Sequence, residues 1–271
     1  YEALPYILEQ AGADVPIYAR NHAQSVDQYD FTFDMRNWMR PFEQMVDHTA
    51  EALFASSEMH VSLMRVAGLE GPVFNVGHPF DPEDVRRRVH SIRPRAQRSR
   101  RVLWSSRWDH EKQPDLFMDL AEADGDAEYV VCTGAPVLRS NDLRLLDRAE
   151  KLRKLGRLRI ETDLTKPGYY ALLADSRVHF MASLQDWVSY ALLEASALGT
   201  PTVAPCFRAF PEVLGSDRRR LYLPWSLSHA RELVRALLDS PESILDDEVR
   251  APAVYHAGSL DRIAAIIRRA C

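Results

Sequence analysis

Asp186-Trp-Val-Ser-Tyr-Ala-Leu-Leu-Glu194-Ala-Ser-Ala-Leu-Gly199-Thr-Pro201-Thr-Val203 is the stretch that decides the fold. Upstream of it, Arg177-Val-His-Phe-Met-Ala-Ser183 reads as a buried strand. The unit is therefore strand, acidic turn, a helix closing at Gly199, and a second strand. In open α/β sheets, ligands bind beyond the carboxyl ends of strands, where the following helix presents unpaired N–H groups. Asp186 falls on that rim. Glu194 lies eight residues on, roughly 12 Å along a helix axis, so the two carboxylates can serve different parts of an extended ligand. A solvated acid and a helix-surface acid would produce the same pair.

Working backwards, Arg101-Val-Leu-Trp-Ser-Ser-Arg107-Trp-Asp-His-Glu-Lys112-Gln-Pro114 is a strand followed by a loop with two cations. Pro114 stands where a helix begins. Arg107 and Lys112 thus flank a second strand-to-helix rim, where they can clamp a diphosphate. The alternative is a surface ion pair with Asp109 or Glu111. Lysine is the rare base here, since Lys112, Lys151, Lys154 and Lys166 are the four lysines among 34 basic residues.

A cationic rim followed by an acidic rim resembles the donor-binding domain of retaining GT-B glycosyltransferases of the family 4 type. The resemblance rests on Arg107, Glu111-Lys112, Glu194-Ala195, Gly199-Thr-Pro201-Thr-Val203 and Pro211-Glu212, and covers about residues 50–225. Three positions depart from the family pattern. Asp186 stands for a glutamate, Trp187-Val188-Ser189 for Gly-Phe-Gly, and Ser106 for the glycine before the arginine. Arg107-Trp-Asp-His-Glu-Lys-Gln-Pro114 is also similar to a stretch of the tRNA-queuosine mannosyltransferase-like branch. Ile17-Tyr-Ala-Arg-Asn21-His22-Ala-Gln24, Asp30-Phe-Thr-Phe33 and Ala52-Leu-Phe-Ala-Ser56-Ser57 fill places similar to that branch's N-terminal domain.

This resemblance implies an α/β protein of GT-B architecture, two Rossmann-like domains facing a cleft. Its expected activity is transfer of a hexose from a nucleotide-sugar, GDP-mannose or a UDP-sugar, with retention and with no cofactor or metal required. Arg107 and Lys112 would hold the diphosphate, helped by backbone N–H groups of Trp187, Val188 and Ser189. Glu194 would accept hydrogen bonds from ribose, and Asp186 would orient the sugar or support its oxocarbenium charge. Glu212 is expected at the nucleotide side, or else is an acid near a helix start. Gly134 permits close approach of the donor, or simply makes a turn.

Arg86-Arg-Arg-Val-His-Ser-Ile-Arg-Pro-Arg-Ala-Gln-Arg-Ser-Arg-Arg101 holds eight arginines in sixteen residues of a chain whose net charge is −5. Such a run can contact a phosphate backbone beside the cleft, or form a solvated linker. On the first reading Asn21, His22, Arg86, Arg87, Arg88 and Arg93 belong to the acceptor side, and the acceptor is a modified nucleoside in tRNA or DNA. Broad family usage favours a lipid, polysaccharide or small metabolite instead. A different class stays open, a non-catalytic nucleotide-binding or scaffold protein, because Trp187-Val188-Ser189 replaces a flexible glycine pair.

Length and composition fit a soluble α/β chain. With 271 residues, 46% of them hydrophobic, it can bury two cores. The three cysteines, 132, 206 and 271, give neither a disulfide framework nor a metal-ligand spacing, which favours the reducing cytoplasm. No apolar run is long enough to span a membrane. Expected divisions are a partial N-terminal domain over 1–85, the arginine-rich linker over 86–100, a complete nucleotide-sugar domain over 101–255 and a C-terminal helix over 256–271. Expected strands lie at 15–19, 52–56 and 72–76 in the first domain. In the second they lie near 101–105, 128–133, 158–161, 177–182, 201–204 and 220–223. A count of three strands, and a start at Tyr1, imply that ~80–100 residues of the first domain lie upstream.

Overall fold

The computed structural model describes residues 16–22, 24–215 and 218–270. Val15, Cys271 and the opening Tyr1–Tyr6 lie outside the described residues. Two compact units result, one of residues up to Val76 together with those from Arg262 onward, the other of Gly77–Asp261.

In the first unit, strands β1 (Tyr18–Arg20), β2 (Ala52–Ala55) and β3 (Val73–Asn75) form a parallel sheet in that order. Helices α1 (Arg36–Thr49) and α2 (Glu58–Val66) make the crossovers, and Ser57 caps α2 by accepting the His60 N–H. Alternation along β2 supplies two apolar faces. Leu53 and Ala55 pack with Met64 and Leu69. Ala52 and Phe54 pack with Val76 and with Ile263, Ile266 and Ile267 of the last helix, Ser259–Ala270.

The second unit carries the larger sheet. Its strands are β4 (Ser99–Trp104), β5 (Glu128–Cys132), β6 (Arg159–Glu161), β7 (Ser176–Phe180), β8 (Thr202–Pro205) and β9 (Leu221–Tyr222), all parallel in the order β6-β5-β4-β7-β8-β9. The connecting helices, in chain order after α3 (Pro82–Arg87), are α4 (Pro114–Ala123), α5 (Leu143–Lys154), α6 (Lys166–Ala174), α7 (Tyr190–Ala197) and α8 (Phe210–Val213). Helices α9 (Leu227–Asp239), α10 (Asp246–Ala257) and α11 (Ser259–Ala270) follow. From β4 the chain winds outward to β6, then returns to the middle at β7 and winds the other way. The reversal leaves a crevice at the carboxyl ends of β4 and β7, the switch point where doubly wound sheets bind ligands.

Both faces of this sheet are covered, so its strands read as nearly continuous apolar runs. Val102 and Trp104 enter one core with Phe117, Phe180 and Tyr222, while Leu103 points the other way among Tyr170, Leu173, Ala195 and Leu198. Phe180 stacks on Phe117 at 5.9 Å and on Tyr222 at 5.6 Å. Val85 of α3 joins the second of these cores, and Arg86 donates to the Ala197 carbonyl at 3.0 Å, so α3 belongs with this unit. Among the described residues, no helix is long and apolar enough to cross a membrane.

Candidate functional site

The strand ends at the switch point are tied to each other by side chains. Leu103 of β4 is in register with His179 of β7, and His179 is fully enclosed. Its Nε2 lies 3.0 Å from Ser105 Oγ and its Nδ1 3.0 Å from Thr202 Oγ1. Burial drives its pKa down to about 3, so the imidazole is neutral and each ring nitrogen keeps one role. Tyr169 donates to the same Ser105 hydroxyl at 3.3 Å.

Beyond these ends, the β4 loop meets the β7 loop. The Leu184 N–H donates to the Glu111 carbonyl at 3.0 Å. Lys112, its side chain 7% exposed, donates to Asp186 Oδ1 at 2.9 Å, Ser183 Oγ at 3.1 Å and Gln185 Oε1 at 3.3 Å. Ser183 also accepts the N–H groups of Gln185 and Asp186, each at 3.2 Å. That turn delays the helix. Asp186 therefore sits in a loop, and α7 opens at Tyr190 with Ser189 as its N-cap. Glu194 is in the second turn of α7, so the helical spacing of 12 Å that the sequence suggests does not apply.

Arg107 lies at the mouth, its side chain 60% exposed. It donates to Glu111 at 2.6 Å and to Gln185 at 3.4 Å, with Asp109 at 3.9 Å. The surface pairing weighed for Arg107 thus forms, whereas Lys112 turns inward to Asp186.

A cavity of about 460 Å³ opens at these strand ends, lined by Ser105, Arg107, Gly134, Lys166, Tyr190 and Glu194 among others, while Lys112 and Asp186 lie outside its lining. Its Arg107 wall is shared with a second cavity of about 600 Å³ that continues over Asp109 and Asn141. Tyr190 and Ala191 line the first cavity. They form the first turn of α7, whose N–H groups have no acceptor within any helix, and that end carries the positive pole of the helix dipole. A Cβ on Gly134 would come within 3.3 Å of the Leu164 carbonyl, which explains a glycine here without reference to a ligand.

Glu194 is held from the other side. Lys166 donates to its Oε1 at 2.6 Å and Tyr170 at 3.0 Å. Burial, and then the Glu194 charge, raise the Tyr170 pKa, so its hydroxyl remains a donor. Lys166 also lies over the Tyr169 and Tyr170 rings at 5.2 and 5.1 Å. Ser105, Ser183, Gln185, Lys166 and Tyr170 are the site residues that sequence reasoning missed. Lys166 alone had a signal, as one of so few lysines just before a helix-starting proline.

Other expected positions lie elsewhere. Glu212 is exposed on α8 and outside the lining of the 460 Å³ cavity. The Trp187 ring is 5% exposed, lies under the Arg208 guanidinium at 4.9 Å, and is likewise outside that lining. Asn21 and His22 follow β1 in the first unit, where Asn21 Oδ1 lies 3.2 Å from His60 Nε2.

The arginine run is mostly taken up inside the second unit. Arg98 donates to the Leu198 carbonyl (3.1 Å), the Gly199 carbonyl (3.0 Å) and Thr200 Oγ1 (2.9 Å). Arg95 donates to the Ile244 carbonyl, Arg101 pairs with Glu128 at 2.7 Å, and Arg93 with Asp175 at 3.6 Å. Arg86 pairs with Glu83 at 2.5 Å, and Arg87 and Arg88 pair with Asp84 on the surface of α3.

No family model matches the chain. Over 88 residues, 31% of this chain and 21% of the other, it is 40% identical to the MMP α-(1→4)-mannosyltransferase of Mycolicibacterium hassiacum. The match thus spans about a fifth of that relative's length. Sucrose-phosphate synthase from Thermosynechococcus elongatus superposes with a TM-score of 0.78 over 98% of this chain and 70% of that one, at 15% identity. HepE of Anabaena, in a complex with UDP and glucose, gives a TM-score of 0.74 over 93% and 71%, at 14% identity. The fold is that of GT-B glycosyltransferases. In this fold the second unit supplies the switch-point crevice, with Arg107 and Glu194 lining its cavity and the Lys112–Asp186 bond joining the loops after β4 and β7.

Proposed function

We propose that this chain transfers a hexose from a nucleoside-diphosphate sugar to an acceptor, with retention at the anomeric carbon. The observation that carries this reading is a switch-point cavity bounded by Arg107, Glu194 and the opening turn of α7, with the Lys112–Asp186 pair joining the β4 and β7 loops at the same sheet edge. A diphosphate in that crevice meets Lys112, Arg107 and the α7 N–H groups, which stabilise the charge that builds as the anomeric C–O bond breaks. These groups do the work that a divalent cation does in other transferases. Asp186, already poised against Lys112, orients the sugar and faces the oxocarbenium charge. Glu194 exchanges part of its Lys166 and Tyr170 bonding for ribose hydroxyls. Burial of the Trp187 ring under Arg208 supports a donor that meets the backbone rather than the indole at this position.

A mannosyl donor is favoured by the mannosyltransferase relative and a UDP-sugar by the UDP-bound HepE, with the cytoplasm, where nucleotide-sugars are made, as the place of action. Calorimetric or thermal-shift titration with GDP, UDP, ADP and their sugar conjugates, each with and without EDTA, tests the site. A ligand at about 100 times its dissociation constant adds roughly 2.7 kcal/mol of stability, and EDTA leaves that gain unchanged. No gain with any nucleotide refutes the assignment. For the acceptor, a tRNA or DNA substrate requires affinity that falls steeply with salt. The burial of Arg95, Arg98 and Arg101 among internal partners favours a neutral acceptor, with a flat salt dependence.

A further inference from the structure

Non-glycine residues rarely adopt left-handed backbone, and where they do the surroundings impose it, often at ligand sites. Among the described residues four do so, and three of these, Gln113 (φ 52°), Arg208 (φ 53°) and Trp225 (φ 61°), converge on one patch of the second unit. With the Gln113 amide assigned to satisfy both neighbours, its oxygen accepts the Trp225 indole N–H at 2.9 Å and its nitrogen donates to the Ala182 carbonyl at 3.0 Å. Phe207 and Trp225 lie ring to ring at 6.1 Å. The Arg208 guanidinium lies 5.2 Å from the Phe207 ring and 4.9 Å from that of Trp187. Yet Trp225 is 59% exposed and the nearby Leu223 61%. Gln113 takes this conformation as the cap between the His110–Lys112 turn and α4, whereas Trp225 takes it in a loop that holds its indole out to solvent by the polar end.

The patch also has a definite place. Gln113 follows Lys112, and Trp187 follows Asp186. Arg208 and Trp225 come from the loops after β8 and β9, which in the strand order lie beyond β4 and β7 as seen from β5 and β6, whereas the cavity is walled by residues after β4, β5 and β6 and by the opening turns of α7. With a nucleotide in that cavity, the aromatic shelf adjoins the opposite end of the reacting centre. A fixed aromatic face beside a guanidinium suits a ring with apolar C–H faces and a hydroxyl rim, which is the chemistry of a pyranose.

Resting on the glycosyl-transfer reading above, we propose that Trp225, Phe207 and Arg208 form the subsite for a pyranose ring of the acceptor. The acceptor is accordingly a glycan or glycoside. Trp225 stacks on the ring face, Phe207 extends the platform, and Arg208 donates to hydroxyls at its edge.

The test uses the full chain and the variants Trp225→Phe and Trp225→Ala, whose exposed position spares the core. Loss of one indole N–H resonance in Trp225→Phe assigns the Trp225 signal. Methyl α-mannopyranoside, methyl α-glucopyranoside, mannobiose and maltose are then titrated, with and without UDP or GDP. The expected result is a saturable shift of the Trp225 resonance with at least one glycoside. Trp225→Ala weakens that glycoside about tenfold and leaves the affinity for free UDP or GDP unchanged. Normal nucleotide binding with no glycoside reaching Trp225 overturns the proposal. So does a Trp225→Ala effect confined to the nucleotide-sugar relative to the free nucleotide, which assigns the shelf to the donor's hexose. Failure of every nucleotide to bind the wild-type chain strikes the transfer reading instead, and the glycoside titrations still report on the shelf.

Discussion

At the scale of single residues, two side chains set testable limits. Lys112 is enclosed with Asp186, Ser183 and Gln185 as partners, so its ammonium is fixed before a diphosphate arrives and needs little reorganisation. Lys112→Ala is expected to lower kcat/KM by about 10²–10³, read in a donor-hydrolysis or transfer assay. Wild-type turnover in that variant removes Lys112 from the mechanism. His179 supplies a pH signature. Its folded pKa of about 3 lies below the ordinary value of 6.5 because the ring is buried. Below pH 6.5 the unfolded chain therefore binds a proton that the folded chain refuses, and stability is lost as pH falls toward 3. From about pH 7 to about pH 5 this group alone removes about 2 kcal/mol. His60 contributes in the same direction in the first unit, also with a pKa of about 3. Urea unfolding at the two pH values is expected to show a smaller loss for His179→Asn than for the wild type. An equal loss would place the titration elsewhere. Lys112 was legible in the sequence through lysine scarcity and loop position. His179 was not, being one more residue of an apolar strand until Ser105 and Thr202 close over it.

At the scale of elements, the C-terminus of α7 shows how the arginine run is used. Gly199, with φ 67°, lets its own N–H reach the Ser196 carbonyl at 3.0 Å and the Thr200 N–H reach that of Ala195 at 2.8 Å, a Schellman closure. Arg98, 4% exposed, takes the Leu198 and Gly199 carbonyls, and Arg86 that of Ala197. Burial, then the nearby Arg95, lower its pKa to about 10, which leaves it charged at neutral pH. Arg98→Ala strands several buried acceptors and is expected to cost about 3 kcal/mol. Arg98→Lys does not restore the loss, because an ammonium lacks the planar fork. Arg87, whose side chain is 66% exposed in its pair with Asp84, should cost no more than about 0.5 kcal/mol on truncation. Denaturant midpoints check both, and an Arg98→Ala chain as stable as the wild type would return the run to a solvated linker. Strands β4 to β9, the start of α4 at Pro114 and the stop of α7 at Gly199 were all legible, because apolar runs, proline and glycine act locally. The turn at Ser183 that delays α7 was not. Neither were the partners of Glu194, which the sheet brings in from α6, nor the left-handed Gln113 and Trp225, which lack the glycine that marks such backbone.

At the scale of the whole molecule, the chain leaves the first unit after Val76 and re-enters it at Arg262. The last helix therefore completes a core that began some two hundred residues earlier, placing Ile263, Ile266 and Ile267 against Ala52, Phe54 and Val76. Arg262 adds a hydrogen bond to the Val76 carbonyl at 3.0 Å. The proposed donor site draws on none of these residues. A charge introduced at Ile266 should thus weaken the first unit and leave nucleotide affinity in the second unchanged. Removing one isoleucine contact from a half-covered face and placing a carboxylate there is worth about 2–3 kcal/mol. Ile266→Asp and the wild type are to be unfolded in urea, with and without the nucleotide that binds, using separate probes for the two sheets. The expected pattern is an earlier first transition in the variant and an unchanged second one. The second transition alone is raised by about 2.7 kcal/mol at 100 times the dissociation constant. A single transition that moves with both the substitution and the nucleotide would mean that the units unfold as one cooperative body, and that donor binding is coupled to the core the last helix completes.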